Sequence, residues 1–306
     1  MRLYYNGTDI YDDVSVNYCV YEMYAEGQAD TLVIRFNDPK GTWSKWNPAA
    51  GDEIRLTEGA ADTGKMFLHS MKPENGLYTI RAMSMPRSGT VKKSRSWEGV
   101  RFLQLGHELA ANNGLTFESY GCTDQVYAYL KQENEGDIAL FSRLCTLESC
   151  QMLIYDGKLI SYSEPYIESM APKGALEVDE GGVFAYHDDR ANAYGSCEIS
   201  CGRYAAKFDA PDAVSSAILR PDRELRITSN AEAGRFARGL LRNANKYGRR
   251  GQFTKALLTD YAAASMLQLK TSKASTWDGP VFIYKVRHDF VANKTTLYFR
   301  NVLEGY

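Results

Sequence analysis

The 306-residue chain lacks most of what announces a membrane protein, a nucleic-acid binder or an enzyme. No run of about 18 apolar residues occurs, so no segment reads as a membrane-spanning helix. Charge of one sign is missing too. Its 36 Lys and Arg stand against 38 Asp and Glu, which leaves no basic field to attract nucleic acid. Histidine is scarce, and His69, His107, His187 and His288 lie dozens of residues apart. The cysteines at 19, 122, 145, 150, 197 and 201 never take the Cys-x-x-Cys spacing of a zinc half-site. They read as reduced, partly buried thiols, and neither a metal nor a cofactor is expected. No phosphate-cradling Gly-x-x-x-x-Gly-Lys-Ser/Thr, no Gly-x-Gly-x-x-Gly after a strand and no Gly-x-Ser-x-Gly elbow is present. The stretch Met1–Gly7 lacks the apolar core of a secretory signal, so folding in a cytoplasm is expected.

Three polar clusters invite a catalytic reading and do not sustain it. Glu133, Glu135 and Asp137 sit at alternate positions before a helix, where solvent-facing and capping roles fit better than a glycosidase pair. His187 beside Asp188 and Asp189 reads as a surface turn, since no second histidine or nucleophile accompanies it. Lys246, Arg249 and Arg250 follow a helix C-terminus, which suits the dipole but is the wrong end to hold phosphate. No catalytic residue is nominated.

What the chain does have is β-pattern and repetition. Val14, Val16, Tyr18 and Val20 alternate with polar residues, as do Leu32, Ile34 and Phe36. Trp43 and Trp46 follow a turn and are expected to be exposed. Residues 48–84 run strand, gapped turn, strand, turn, strand, and residues 262–303 run through the same order. This echo predicts a duplicated β-domain. Between the copies, Pro86–Ser96 reads as a polar linker. Ser96 is expected to cap a helix over 97–113, with Phe102, Leu105 and Leu109 inward. Asp137 is expected to cap a second helix burying Ile138, Leu140, Phe141, Leu144 and Leu147, and Asp156-Gly157 to turn a hairpin. A third helix opens at Asn230, with Ala233, Phe236, Ala237, Leu240, Leu241 and Ala244 on one face, and stops at Gly248. Over 281–290, strict alternation puts Phe282, Tyr284, Val286, His288 and Phe290 on one face and Val281, Ile283, Lys285, Arg287 and Asp289 on the other. The expected fold is a β-rich α+β protein. Two tube-protein-like β-barrel domains, 1–86 and 170–306 (the latter with helix 230–247), flank a linker and α/β module at 87–169.

Three stretches carry a family resemblance. They are Ser96–Leu115, then Tyr129–Leu144 with the Asp156-Gly-Lys-Leu hairpin, and finally Asn230–Leu241 with Trp277–Phe290 and Thr295–Phe299. In that order they resemble the late-control D family, the baseplate hub proteins of contractile-tailed phages and phage-tail-like bacteriocins, related to the N-terminal half of VgrG. The resemblance implies a structural, non-enzymatic homotrimer whose paired barrels form a pseudo-hexameric ring adapting a sixfold tail tube to a threefold spike. It implies the tube protein above, a separate trimeric spike below and other baseplate or wedge proteins as partners. Nucleic acid would enter only if DNA passes through the channel, and no membrane is involved. Assembly in the bacterial cytoplasm and release by lysis within the particle baseplate follow. Arg287 and Asp289, at the charged end of their strand, are candidates for an interface or the lumen. The alternatives are a tail-tip carbohydrate-binding component using Trp43 and Trp46, and a cell-wall hydrolase.

Overall fold

The computed structural model describes residues 1–178, 183–221, 225–271 and 274–306. The chain is a β-rich α+β protein. Its first unit comprises β1 (Arg2–Tyr5), β2 (Ser15–Tyr24), β3 (Thr31–Asn37), the short helix α1 (Thr42–Trp46), β4 (Glu53–Glu58), β5 (Met66–Glu74) and β6 (Leu77–Met83). These strands lie side by side in the order β2-β3-β6-β5-β4-β1. The alternation expected of β3 holds: Leu32, Ile34 and Phe36 are buried in one core with Ile54, Leu68 and Ile80, while Arg35 and Asn37 face out. Trp43 departs from expectation. It is buried, stacked on Phe36 and Tyr78, and only Trp46 stays exposed.

The middle of the chain holds β7 (Lys92–Arg101), α2 (Phe102–Ala111), β8 (Thr116–Tyr120), β9 (Val126–Gly136), α3 (Asp137–Leu147), β10 (Cys150–Tyr155), β11 (Lys158–Ser163) and α4 (Glu164–Glu168). Asp156 and Gly157 both take positive φ, 47° and 73°, which a type I′ hairpin turn requires. Two expectations fail here. The second half of the polar linker, from Lys92, and the first five residues of the expected helix are a strand, because Lys92–Arg101 pairs along its length with β9. Ser96 therefore caps nothing, and the helix begins at Phe102. Nor does Asp137 cap its helix. Gly136 holds that position, and the buried Asp137 carboxylate sits 2.8 Å from both Lys93 Nζ and Arg95 Nη2. Ion pairing outweighs burial and keeps its pKa below the usual carboxylate range.

The last part contains β12 (Ala175–Val178), β13 (Val183–Asp188), β14 (Ser196–Cys201), β15 (Tyr204–Asp209), α5 (Asn230–Asn245), β16 (Arg249–Ala256), β17 (Ser265–Thr271), β18 (Gly279–Asp289) and β19 (Lys294–Asn301). Ser229 caps α5 by accepting the Glu232 N–H at 3.1 Å. Leaving out β14, β15 and α5, the strands stand in the order β13-β16-β19-β18-β17-β12. Taken in chain sequence, this is the first unit's order again, strand for strand. One difference lies at the far edge, where β1 runs antiparallel to β4 and β12 runs parallel to β17. The insertion of β14, β15 and α5 packs away from its own unit. Phe236, Ala237 and Leu241 share a core with Phe141 and Leu144 of α3.

Both units carry the same irregularity. In the β5–β6 hairpin the extra residue is His69, and in β18–β19 it is Tyr284. Each lies five positions before the pair closing its hairpin, Glu74–Leu77 or Asp289–Lys294. A bulge adds one residue to one strand and so reverses which face the following side chains occupy. That corrects the faces expected for 281–290. Val281 and Ile283 lie in the second unit's core and, past the bulge, so does Val286. Phe282 packs on the other side, against Ala25, Tyr162 and Met266. The two units join into one sheet because β18 also pairs with β2.

Candidate assembly surface

The β2–β18 joint is antiparallel, with Arg287 opposite Glu22, Lys285 opposite Tyr24 and Asp289 opposite Val20. Phe290 N–H donates to Cys19 O at 3.0 Å and Ala25 N–H to Tyr284 O at 2.9 Å, which bracket the ladder. On the face away from the cores, Glu22 Oε1 sits 3.0 Å from Lys285 Nζ and 3.1 Å from Arg287 Nη1. Glu22 also accepts from the Tyr24 hydroxyl, and the Tyr18 hydroxyl accepts from Arg287. Burial opposes the Glu22 charge, but its bonds to Lys285, Tyr24 and Arg287 outweigh that and lower its pKa. Of the two candidate residues, Arg287 belongs to this network. Asp289 instead accepts the Ala292 N–H at 2.9 Å and closes the hairpin loop. The two are placed on the same strand without touching a common partner.

On the other face of the joint, His288 is fully buried, its Nδ1 2.8 Å from Thr295 Oγ1, with Tyr21 and Phe290 against the ring. Burial pushes its pKa down to about 4, so the ring is neutral in the folded chain at pH 7. A histidine depressed in this way contributes stability above its unfolded pKa of about 6.5, and that contribution is lost as pH falls toward 4. Asp30, bonded to the Tyr21 hydroxyl, works the other way, because burial raises its pKa to about 7. The contrast with His288→Gln isolates the histidine. Urea midpoints at pH 7.5 and 5 should show about 2 kcal/mol more acid loss in the parent than in the variant. Equal losses would mean that His288 does not titrate.

Sequence reasoning missed a buried ionic cluster beside the joint. Glu164 and Glu168 of α4 face Arg242 and Lys246 from the end of α5, and Arg300 from β19. Arg300 Nη2 lies 2.8 Å from Glu164 Oε1 and its Nη1 2.5 Å from Glu168 Oε1. Arg242 Nε bonds Glu164 Oε2 at 3.0 Å. Its Nη2 comes within 2.7 Å of Glu168 without hydrogen-bond alignment. Lys246 also pairs with Glu26 from the β2–β3 loop, which the Tyr247 hydroxyl bonds as well. The cluster ties the middle module, the α5 insertion and both β-units together. A signal was available: Glu164/Glu168 are two acids and Arg242/Lys246 two bases, each pair at a helical spacing of four, where like charges repel unless a partner of the opposite sign faces them.

The acids of the other polar clusters are ion-paired within the chain. Glu133 pairs with Lys131 and Glu135 with Arg143, while Asp188 pairs with Arg190 and Asp189 with Arg250. Among the described residues, no three His, Cys, Asp or Glu side chains converge on a metal position, and no helix is long and apolar enough to cross a membrane.

No protein-family model matches the sequence, and no curated protein sequence matches it. Solved structures do resemble it. The 43 kDa tail protein of prophage MuSo2 from Shewanella oneidensis matches with a TM-score of 0.75 at 9% identity, over 98% of this chain and 97% of its own. A tail protein from Neisseria meningitidis MC58 matches with a TM-score of 0.78 at 11% identity, over 98% and 95%. The E. coli c3393 protein is a component of the type VI secretion system with structural similarity to the T4 bacteriophage tail proteins gp27 and gp5. It matches with a TM-score of 0.64 at 12% identity, over 100% and 78%. The chain thus has the fold of phage tail proteins and of a type VI secretion component.

Proposed function

We propose that this chain is a non-enzymatic baseplate hub of a contractile tail or tail-like injection machine, three copies forming a ring between a sixfold tube and a threefold spike. The observation that carries this reading is the duplicated unit, with the same strand order and the same bulge twice in one chain. A ring of three such chains offers six near-equivalent faces to the tube while keeping threefold symmetry toward the spike. The fold shared with phage tail proteins supports the setting. The network of Glu22, Lys285 and Arg287 gives the joint a polar outward face, which suits a channel wall, and Arg287 is assigned to that wall. Carbohydrate binding loses one of its two tryptophans to the core, since Trp43 is 3% exposed. A density map of the purified particle tests the reading. Three copies on the central axis, between tube and spike, are expected. Six copies per ring, or a place off the axis, would overturn it.

A further inference from the structure

The single chain shows how one unit joins the next. The joint uses the first ring strand of one unit, β2, and the bulged strand of the other, β18. The equivalent strands of the opposite ends are left over. Among the described residues, β13 pairs only with β16, and Ser70–Glu74 of β5 pairs only with β6. The free edge at β13 is not a protected one. Val183 is 71% exposed and Phe184 41% exposed. Unpaired edges with apolar side chains invite pairing with another chain. We propose that β13 of one copy adds to β5 of the next copy of this chain, in the register of the internal β2–β18 joint. The inference rests on the ring reading above and specifies its contact.

The register follows from the duplication. Counting from the bulges, Lys285, Arg287 and Asp289 correspond to Ser70, Lys72 and Glu74. Following the ladders outward, Glu22 pairs Thr31 and Thr31 pairs Met83, just as His187 pairs Arg250 and Arg250 pairs Arg300. Met83 and Arg300 are equivalent, because each pairs a phenylalanine two residues before its bulge, Phe67 or Phe282. Glu22 therefore corresponds to His187, and Tyr21 to Tyr186. Arg287 opposite Glu22 inside the chain becomes Lys72 opposite His187 between chains. Ser70 then faces Asp189, and Glu74 faces Ala185.

The charges agree with this register. Diagonal neighbours in an antiparallel ladder lie within reach of long side chains. Lys72 stands diagonal to Asp189 and Glu74 diagonal to His187, so both diagonals bring opposite or polar partners together. Pro73 occupies the place of His288 and offers no N–H, so this ladder is one hydrogen bond shorter than the internal one. The same proline, with Lys72 and Glu74 beside it, discourages indiscriminate strand addition to β5 before assembly. A second copy of the chain is the occupant because its edge is built like the strand already seen making this contact. Each chain supplies β13, β16, β19, β18, β2, β3, β6 and β5 to such a ring, in that unbroken order.

Disulfide trapping on the full chain tests the register. Lys72→Cys with His187→Cys, oxidised mildly with diamide, should give covalent oligomers up to the trimer, with the two single variants as background for the native thiols. Glu74→Cys with Ala185→Cys reads the same register and should behave alike. The off-register pair Lys72→Cys with Ala185→Cys should give little beyond background. Glu22→Cys with Arg287→Cys should link within one chain, without a gain in mass. An oligomer by mass that traps only off register, or not at all, would overturn this inference and leave the ring standing. A chain that is monomeric by mass and never traps would overturn the ring reading as well.

Discussion

Replacing Glu164 by glutamine is expected to lower the stability of the chain by about 3–5 kcal/mol. The carboxylate is 1% exposed and stands among three cations, with Arg300 at 2.8 Å, Arg242 at 3.0 Å and Lys246 at 3.5 Å. Burial alone would raise its pKa. The fields of Arg300, Lys246 and Arg242 reverse that and hold it at about 2. A neutral amide leaves Glu168 and Glu26 to balance three buried charges, and a buried guanidinium cannot shed its proton to escape. The cost therefore comes from the stranded cations more than from the lost attraction. Because the folded pKa is depressed, this contribution is fully present above the unfolded value of about 4.5 and disappears as pH falls toward 2. Urea unfolding at pH 7 measures the effect, with Glu133→Gln as the reference. Glu133 pairs with Lys131 at the surface, 71% exposed, where such pairs are worth about 0–1 kcal/mol. A Glu164→Gln variant no less stable than Glu133→Gln would mean that the cluster does not hold the units together.

Local chemistry was legible in the sequence where it decided the structure by itself. The Asp156-Gly157 turn, the apolar stripes of α3 and α5 and the alternation in β3 all depend on neighbours close in the chain. The strand echo was legible as an order, and the structure adds the reason for its faintness. A bulge and a ladder register can be shared without sharing side chains, and Tyr284 stands where His69 does. What was not legible depended on distant partners. Ser96–Arg101 has the composition of a helix start and becomes a strand because β9 lies beside it. Trp43 follows a surface-type turn, yet Phe36 and Tyr78 form a slot for it. The faces of 281–290 were misjudged because nothing in an alternating run marks which residue will bulge. Nothing local marks Arg242 and Arg300 as buried, and the acids that neutralise them lie more than 70 residues away.

The two glycines of α5 should respond to alanine with opposite signs. In an exposed helix interior, Gly→Ala gains up to about 1 kcal/mol, because glycine has more backbone freedom to lose. Gly234 is half-buried but has the room for a methyl, since a Cβ there would approach Ala206 Cβ at 3.9 Å, an ordinary contact. Gly239 has no such room. Its Cβ would lie 2.4 Å from the carbonyl oxygens of both Thr146 and Leu147, where α5 crosses the end of α3. Those atoms are backbone and cannot swing aside, so the helices must separate and loosen Phe236 and Leu241 from Phe141 and Leu144. Overpacking of this kind costs about 1–3 kcal/mol in side-chain cases, and a backbone clash on two carbonyls belongs at the upper end or beyond it. Gly239→Ala should therefore lose about 3 kcal/mol net, while Gly234→Ala gains about 0.5–1 kcal/mol. Urea midpoints of the two variants, measured side by side with the parent, give both signs in one experiment. If both alanines stabilise the chain, the α3–α5 crossing is looser than described, and α5 does not anchor the insertion to the module.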